Sequence, residues 1–248
     1  ERDQVELLTG NGVSVSLDMR DIVRVYQPNN MGFGEKLIHY FEKVFEFVSE
    51  EPREANTEGG IFPAIFGTVV MVLLMSVFVT PFGVIAAVYL NEYAGQGALT
   101  RAIRIAVNNL AGVPSVVYGV FGLGFFVYFV GGSIDDLFYP EVAPAPKFGT
   151  PGLIWSSLTL AILTVPGVIV STEEGLRRIP RNLREGSLAL GATKAETLMR
   201  TVLPMATPAM MTGLILAVAR AAGEVAPLMM VGVVTVSYTH LTLPTRRF

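Results

Sequence analysis

Hydrophobic and polar positions divide this chain sharply. Residues 1–60 mix charges with short apolar runs, whereas Ile61–Leu90 contains no charged residue at all. At 1.5 Å per residue, an unbroken helix over that stretch is about 45 Å long, more than the roughly 30 Å hydrocarbon core of a bilayer. Pro81-Phe-Gly83 is expected to kink it. A second apolar span is predicted over about Ala106–Val130, interrupted by Gly112-Val-Pro114, and a third over about Leu153–Val170, with Pro166-Gly167 near its end. A fourth is predicted after Pro204, reaching about Val234 with Arg220 and Glu224 inside it.

Ahead of the spans the period changes. Val13-Ser-Val-Ser-Leu17 alternates as a strand does, Ile22–Tyr26 can form another, and Gln27-Pro-Asn-Asn30 marks a turn. From Glu35 to Ser49 the apolar residues Leu37, Phe41, Val44 and Val48 recur at steps of three and four, which predicts an amphipathic helix. It can lie on a membrane surface or pack on the outer segment, and its acidic polar face disfavours tight lipid binding. Glu50–Gly60 reads as a charged linker.

Composition agrees with a membrane protein. Of the 248 residues 51% are apolar and only 16% charged, and the mean hydropathy is +0.52. With no cysteine there is neither a disulfide nor a thiolate metal site. His39 and His240 are far apart in sequence and no HExxH occurs, so neither a metal nor a cofactor is expected. A net charge of −3 argues against nucleic acid as a partner. No GxxxxGK[ST] sequence occurs either, so ATP binding through a P-loop is not expected. The first residue is Glu1 and no signal peptide is visible, so a longer gene product is expected.

Charge also orients the chain. Arg177, Arg178, Arg181, Arg184, Lys194 and Arg200 place residues 171–204 in the cytoplasm, and Arg101 and Arg104 do the same for the 91–105 loop. The 131–150 loop sets Lys147 against Asp135, Asp136 and Glu141, and is expected outside. Four alternating spans then make residues 1–60 extracytoplasmic. The domain reading is an outer segment over 1–60, the end of a larger outer domain, and a transmembrane core over 61–236 with the 171–204 loop in the cytoplasm.

The 171–204 loop holds the most specific pattern. Glu185, Gly186, Ser187 and Gly191 lead to Leu203-Pro204, with six residues from Glu to Gly and thirteen from Gly to Pro. Pro180 stops the preceding segment, Asn182 can cap a first helix with Glu185 reaching back, and Gly191 breaks it. Thr193-Lys-Ala-Glu196 is a capping box for a second helix, expected to end before Pro204. This spacing resembles the EAA loop of ABC-importer permeases, with Gly186 and Ser187 in place of two alanines and Thr201 where an apolar residue is usual. The resemblance implies a docking surface for an ATPase that the chain does not contain.

Arg220 and Glu224 stand four residues apart, so their side chains can meet. Gly213, Ala217, Arg220, Ala221 and Glu224 fall within an arc of about 100° on a helix, which places the pair on a small-residue packing face. Such charges face protein or water rather than lipid. The pair is either a structural salt bridge or a cationic site, guarded by Glu224, on the path of an anion. Ser115, after Gly112-Val-Pro114, is the other candidate for that path, because a broken helix frees N–H groups that attract anions. A packing kink is the alternative. Asn108 and Asn109 read as helix-end polar residues near the cytoplasmic face.

Three stretches narrow the family: Asn109-Leu-Ala-Gly-Val-Pro-Ser-Val-Val-Tyr-Gly119, Ala219-Arg-Ala-Ala-Gly-Glu-Val-Ala-Pro227 and Glu51-Pro-Arg-Glu-Ala-Asn-Thr-Glu-Gly-Gly60. They resemble the PstA-type permeases of bacterial phosphate importers, from about Ile22 to Val234. That resemblance implies an all-α membrane protein with a MetI-like permease core, here with four spans and a small α/β-like extracytoplasmic segment. It implies an inner-membrane heterodimer with a PstC-type permease, a cytoplasmic ATPase dimer, a periplasmic phosphate-binding protein, phosphate as solute and membrane lipid around it. It also implies at least one span before residue 1 and one after Val236. A permease for another oxyanion remains an alternative, as does a membrane receptor or scaffold with an outer sensing domain. No catalytic constellation lies at span depth, so an enzyme is not expected. Residues 237–248 resemble a translated adapter read-through and are set aside as non-native; a genuine outer loop is the alternative.

Overall fold

The computed structural model describes residues 4–8, 14–18, 31–53, 58–95, 97–142 and 146–232, which fall into two compact units, Glu1–Phe62 and Pro63–Phe248. The expected strand at Ile22–Tyr26 and the stretch 237–248 lie outside the described residues.

In the first unit, β1 (Gln4–Leu8) pairs antiparallel with β2 (Ser14–Asp18), with Gln4 opposite Asp18 and Leu8 opposite Ser14. β2 is the strand expected at Val13–Leu17, shifted by one residue. β1 was not anticipated, although Gln-Val-Glu-Leu alternates with the same period of two. α1 (Phe33–Ser49) is the expected amphipathic helix, begun two residues early because Glu35 accepts a hydrogen bond from the Gly32 N–H at 2.9 Å. Phe33, Ile38, Phe41 and Phe45 are all exposed. Where a charged linker was expected, β3 (Pro52–Arg53) and β4 (Glu58–Gly59) form a short hairpin.

The second unit contains four helices long and apolar enough to cross a membrane: Phe62–Tyr93, Ser115–Phe138, Leu153–Arg177 and Lys194–Ala222. The first is α2 (Phe62–Val88) extended by a π turn over Tyr89–Tyr93. It carries Pro81 in its interior without ending there. Its buried residues Met71, Met75, Val79, Gly83, Ala87 and Leu90 recur at steps of three and four, one stripe of an otherwise apolar helix.

The second span does not begin at Ala106. α3 (Ala98–Leu110) is a separate amphipathic helix, and Ala111–Pro114 separates it from α4 (Ser115–Gly122). Proline excludes the helical backbone at Val113 and sets its own φ at −57°, a start for α4 rather than an interruption. The helix continues through a π segment (Leu123–Gly131) into α5 (Gly132–Phe138), past the expected end at Val130. Asp135 is nearly buried there, and its carboxylate accepts hydrogen bonds from the N–H groups of Lys147, Phe148 and Gly149 at 2.7–2.9 Å. Three donors replace the water this carboxylate gives up.

α6 (Leu153–Arg177) is the central helix: 61% of its apolar window is buried, against 22–28% for the other three. It tolerates hydroxyls in the core where they bond its own backbone, Thr172 being the exception among the described residues. Ser157 donates to Leu153 O, Thr159 to Trp155 O and Thr164 to Leu160 O, at 2.7–2.8 Å. α9 (Leu203–Ala222) packs along α6 through small residues. A Cβ on Gly213 would lie 2.7 Å from the Ser171 Cβ, so the two helices approach as closely as glycine permits. α10 (Ala226–Val231) packs on α4 and α6.

Candidate functional site

The loop after α6 folds as two arms around a turn. α7 (Arg181–Ala189) starts at Pro180, whose ψ of 142° makes it the cap residue. The expected cap at Asn182 is therefore corrected: Asn182 lies inside the helix and no side chain caps it. The rigid proline φ already presets the first turn. α7 closes in a Schellman arrangement, Ala192 N–H to Ser187 O at 3.3 Å and Gly191 N–H to Leu188 O at 3.0 Å, with Gly191 at φ 88°. Thr193 then caps α8 (Lys194–Thr197). Its N–H reaches the Glu196 carboxylate at 2.9 Å and its hydroxyl accepts from the Glu196 N–H at 3.2 Å. This is the capping box read from the sequence.

α8 does not stop before Pro204. A π turn over Leu198–Val202 joins it to α9, so the second arm is the beginning of the fourth span. Proline lacks an N–H and crowds the carbonyl four residues back; a widened turn at that point relieves both problems. Leu203 is half-buried and Pro204 exposed.

Of the other sequence-selected residues, Ser187 joins the arms, its hydroxyl 2.9 Å from that of Thr197. Gly186 has open space where a Cβ would stand. Glu185 is exposed and makes no hydrogen bond or ion pair among the described residues. At the turn Leu190 is 91% exposed, an apolar tip that this chain leaves uncovered.

The grip on this knob comes from residues that sequence reasoning missed. The Arg184 guanidinium pairs with the Glu92 carboxylate and donates to Leu176 O at 2.7 Å. Lys194 donates to the Glu92 carbonyl and sits 4.5 Å over the Tyr93 ring. One residue at the end of the first span thus holds both arms. A signal existed: Glu92 is the first charge after the uncharged run, and a cationic loop follows later in the chain. Beside it, Arg104 donates to Leu90 O at 2.7 Å and lies 3.8 Å from Glu173, which pairs with Arg177 at 3.1 Å.

The Arg220–Glu224 pair forms, at 3.5 Å, but not within one helix. α9 ends at Ala222, and Glu224 stands in the break before α10. Gly213, Ala217 and Ala221 are buried against neighbouring helices, whereas the Arg220 side chain is 43% exposed and that of Glu224 18%. The small residues thus make the packing face, and Arg220 leaves it at its margin. The helical arc failed there because Glu224 is no longer helical and a long arginine need not follow its Cβ. The Tyr118 hydroxyl of α4 donates to Leu110 O at 2.7 Å. Ser115 is half-buried in the first turn of α4 and its hydroxyl has no hydrogen bond among the described residues. Asn108 and Asn109 sit, exposed, in the last turn of α3.

Four apolar helices, a tethered helix–turn–helix knob between the third and fourth, and a charge pair at a helix break define a multi-pass membrane permease fold. The comparisons make that class specific. The family described as binding-protein-dependent transport system inner membrane component matches residues 79–240, and the chain belongs to it. It is 36% identical over 182 residues to the phosphate transport system permease protein PstA 1 of Mycobacterium tuberculosis (strain CDC 1551 / Oshkosh), covering 73% of this chain and 53% of that one. To the PstA permease of Yersinia pestis it is 35% identical over 184 residues, 74% of this chain and 56% of that protein. The chain therefore spans about half the length of the curated relatives it matches. Among solved structures, a chain of the MetNI methionine ABC transporter in an inward-facing conformation superposes with a TM-score of 0.56 at 22% identity, covering 69% of this chain and 74% of that one. That likeness gives the fold: an all-α, MetI-like permease core.

Proposed function

We propose that the chain is the core of a permease subunit in an ATP-driven importer, and that its solute is inorganic phosphate. The observation that carries the transport reading is the knob: two capped arms and an uncovered Leu190 tip, held to the first span through Glu92. A tip that is apolar and rigidly mounted fits a groove on a soluble partner. In this reading residues 171–204 face the cytoplasm, as their arginines and lysine favour, and meet a cytoplasmic ATPase dimer through Glu185, Gly186, Ser187, Gly191, Leu203 and Pro204. Residues 1–60 then lie outside. The remaining partners are a PstC-type permease and a periplasmic phosphate-binding protein in the bacterial inner membrane.

Phosphate as solute is supported by the naming of relatives as phosphate permeases at 35–37% identity. Arg220, exposed on the fourth span beside the break at Gly223, is the cation assigned to the anion's path, with Glu224 as its guard and Ser115 as a further contact. The test is uptake of labelled phosphate and, separately, labelled sulfate by cells in which the full-length gene replaces the host phosphate importer. Phosphate uptake alone is expected. Gly191→Pro and Glu185→Arg are each expected to abolish uptake while the protein still inserts and accumulates. Normal phosphate uptake in both variants refutes the docking role, and sulfate uptake without phosphate uptake refutes the solute.

A further inference from the structure

A cavity of about 600 Å³ opens where the first span ends, between α3, the last turn of α6 and α7. Five arginines line it: Arg101 and Arg104 from α3, Arg177 from α6, and Arg181 and Arg184 from α7. Their carboxylate partners are two, Glu92 for Arg184 and Glu173 for Arg104 and Arg177. Glu174 lines the adjoining pocket with Arg104 and Arg177, so five guanidinium groups against three carboxylates leave two positive charges in excess. Arg101 and Arg181 have no hydrogen bond or ion pair among the described residues. The Nε atoms of Arg104 and Arg184 are buried without a hydrogen-bond partner there, that of Arg104 lying 3.8 Å from a Glu173 oxygen that is itself unpartnered.

Arg101, Arg177 and Arg181 are exposed at the mouth, with Arg104 and Arg184 partly buried behind them, so the excess positive charge is open to an incoming anion. Guanidinium forks bind phosphate groups in bidentate fashion. The cavity size is that of a small-molecule site, and the buried Leu90, Leu176 and Ile179 give its wall an apolar component. Its position, at the ends of the helices Phe62–Tyr93 and Leu153–Arg177, corresponds to the level at which a bilayer presents its headgroups. We propose that this arginine cavity binds a phosphate group, presented by the headgroup of an anionic phospholipid. One bound headgroup bridges α3 to α7, and so adds to the tie that Glu92 makes between the knob and the bundle. The site is distinct from Arg220 and does not depend on which solute is transported.

The experiment compares the full-length protein with its Arg101→Gln/Arg181→Gln variant; neither residue pairs among the described residues, so folding is expected to be kept, as a thermal melt in detergent checks. Both proteins are incorporated into nanodiscs of phosphatidylcholine with or without phosphatidylglycerol, then released for native mass spectrometry. The wild type is expected to retain phosphatidylglycerol, and the variant to retain it about thirtyfold less well. A competition arm adds inorganic phosphate. If phosphate binds the wild type but not the variant, and phosphatidylglycerol is not retained, the phosphate chemistry stands and its source is a free solute. Equal retention by both proteins, or binding of neither ligand by the wild type, overturns the proposal. So does a variant that retains the lipid normally but no longer captures the ATPase, since the cavity then receives a protein carboxylate.

Discussion

Glu92→Gln removes one charge and keeps the shape, and it tests whether a single residue at the end of the first span holds the knob. The pair it breaks is well shielded, with the Glu92 side chain 10% and that of Arg184 22% exposed. Removing one partner of a fully buried pair costs about 3–5 kcal/mol, and an exposed pair contributes about 0–1 kcal/mol. An intermediate value of about 2 kcal/mol follows, roughly thirtyfold in a local opening constant. The substitution spares two other anchors, Arg184 to Leu176 O and Lys194 to the backbone carbonyl of residue 92. The arms are therefore expected to loosen without global unfolding. Hydrogen exchange of the full-length protein in nanodiscs should show amides of 181–192 exchanging about thirtyfold faster, with those of α6 unchanged. Arg184→Gln, alone and combined with Glu92→Gln, completes a double-mutant cycle, and the double variant is expected to open little more than either single one. Wild-type exchange over 181–192 in Glu92→Gln, or additive effects in the cycle, refutes the argument.

Gly213→Leu places a branched side chain where even a Cβ meets Ser171 at 2.7 Å, so α6 and α9 must separate; a loss of more than about 3 kcal/mol is expected, read as poor recovery of folded protein after detergent extraction. Reversing the charge pair, Arg220→Glu with Glu224→Arg, keeps net charge but moves the cation from an exposed helical position into the break after Ala222. The reversed protein is expected to assemble yet transport poorly, and near-normal uptake would make the pair purely structural.

The elements legible in the sequence were those fixed by neighbours along the chain. Thr193 and Glu196 are three residues apart, so their reciprocal cap could be read directly, and Gly191 was expected to break the helical run, which it does at φ 88°. Four spans followed from apolar length alone. Boundaries were less legible because proline has two opposite uses. Pro114 begins a helix, Pro81 rides inside one, and Pro204 follows a π turn that only three-dimensional packing reveals. The grip of Glu92 on Arg184 and Lys194 crosses 92 and 102 residues, beyond any local pattern.

The continuity of α8, its π turn and α9 makes Lys194–Ala222 a single rod of 29 residues, about 44 Å long. It meets α6 tightly at two levels, Ala209 against Gly175 and Gly213 against Ser171, so the seam runs from about 23 to about 29 Å from the Lys194 end and stops about 11 Å short of Arg220. Turning about that seam, the rod is a lever with arms in a ratio of about two to one. An excursion of about 3 Å at the knob reaches Arg220 as about 1.5 Å in the opposite sense, less whatever the π turn absorbs by flexing. The knob end of this lever is large in travel and weak in force, and the end that carries Arg220 is the reverse.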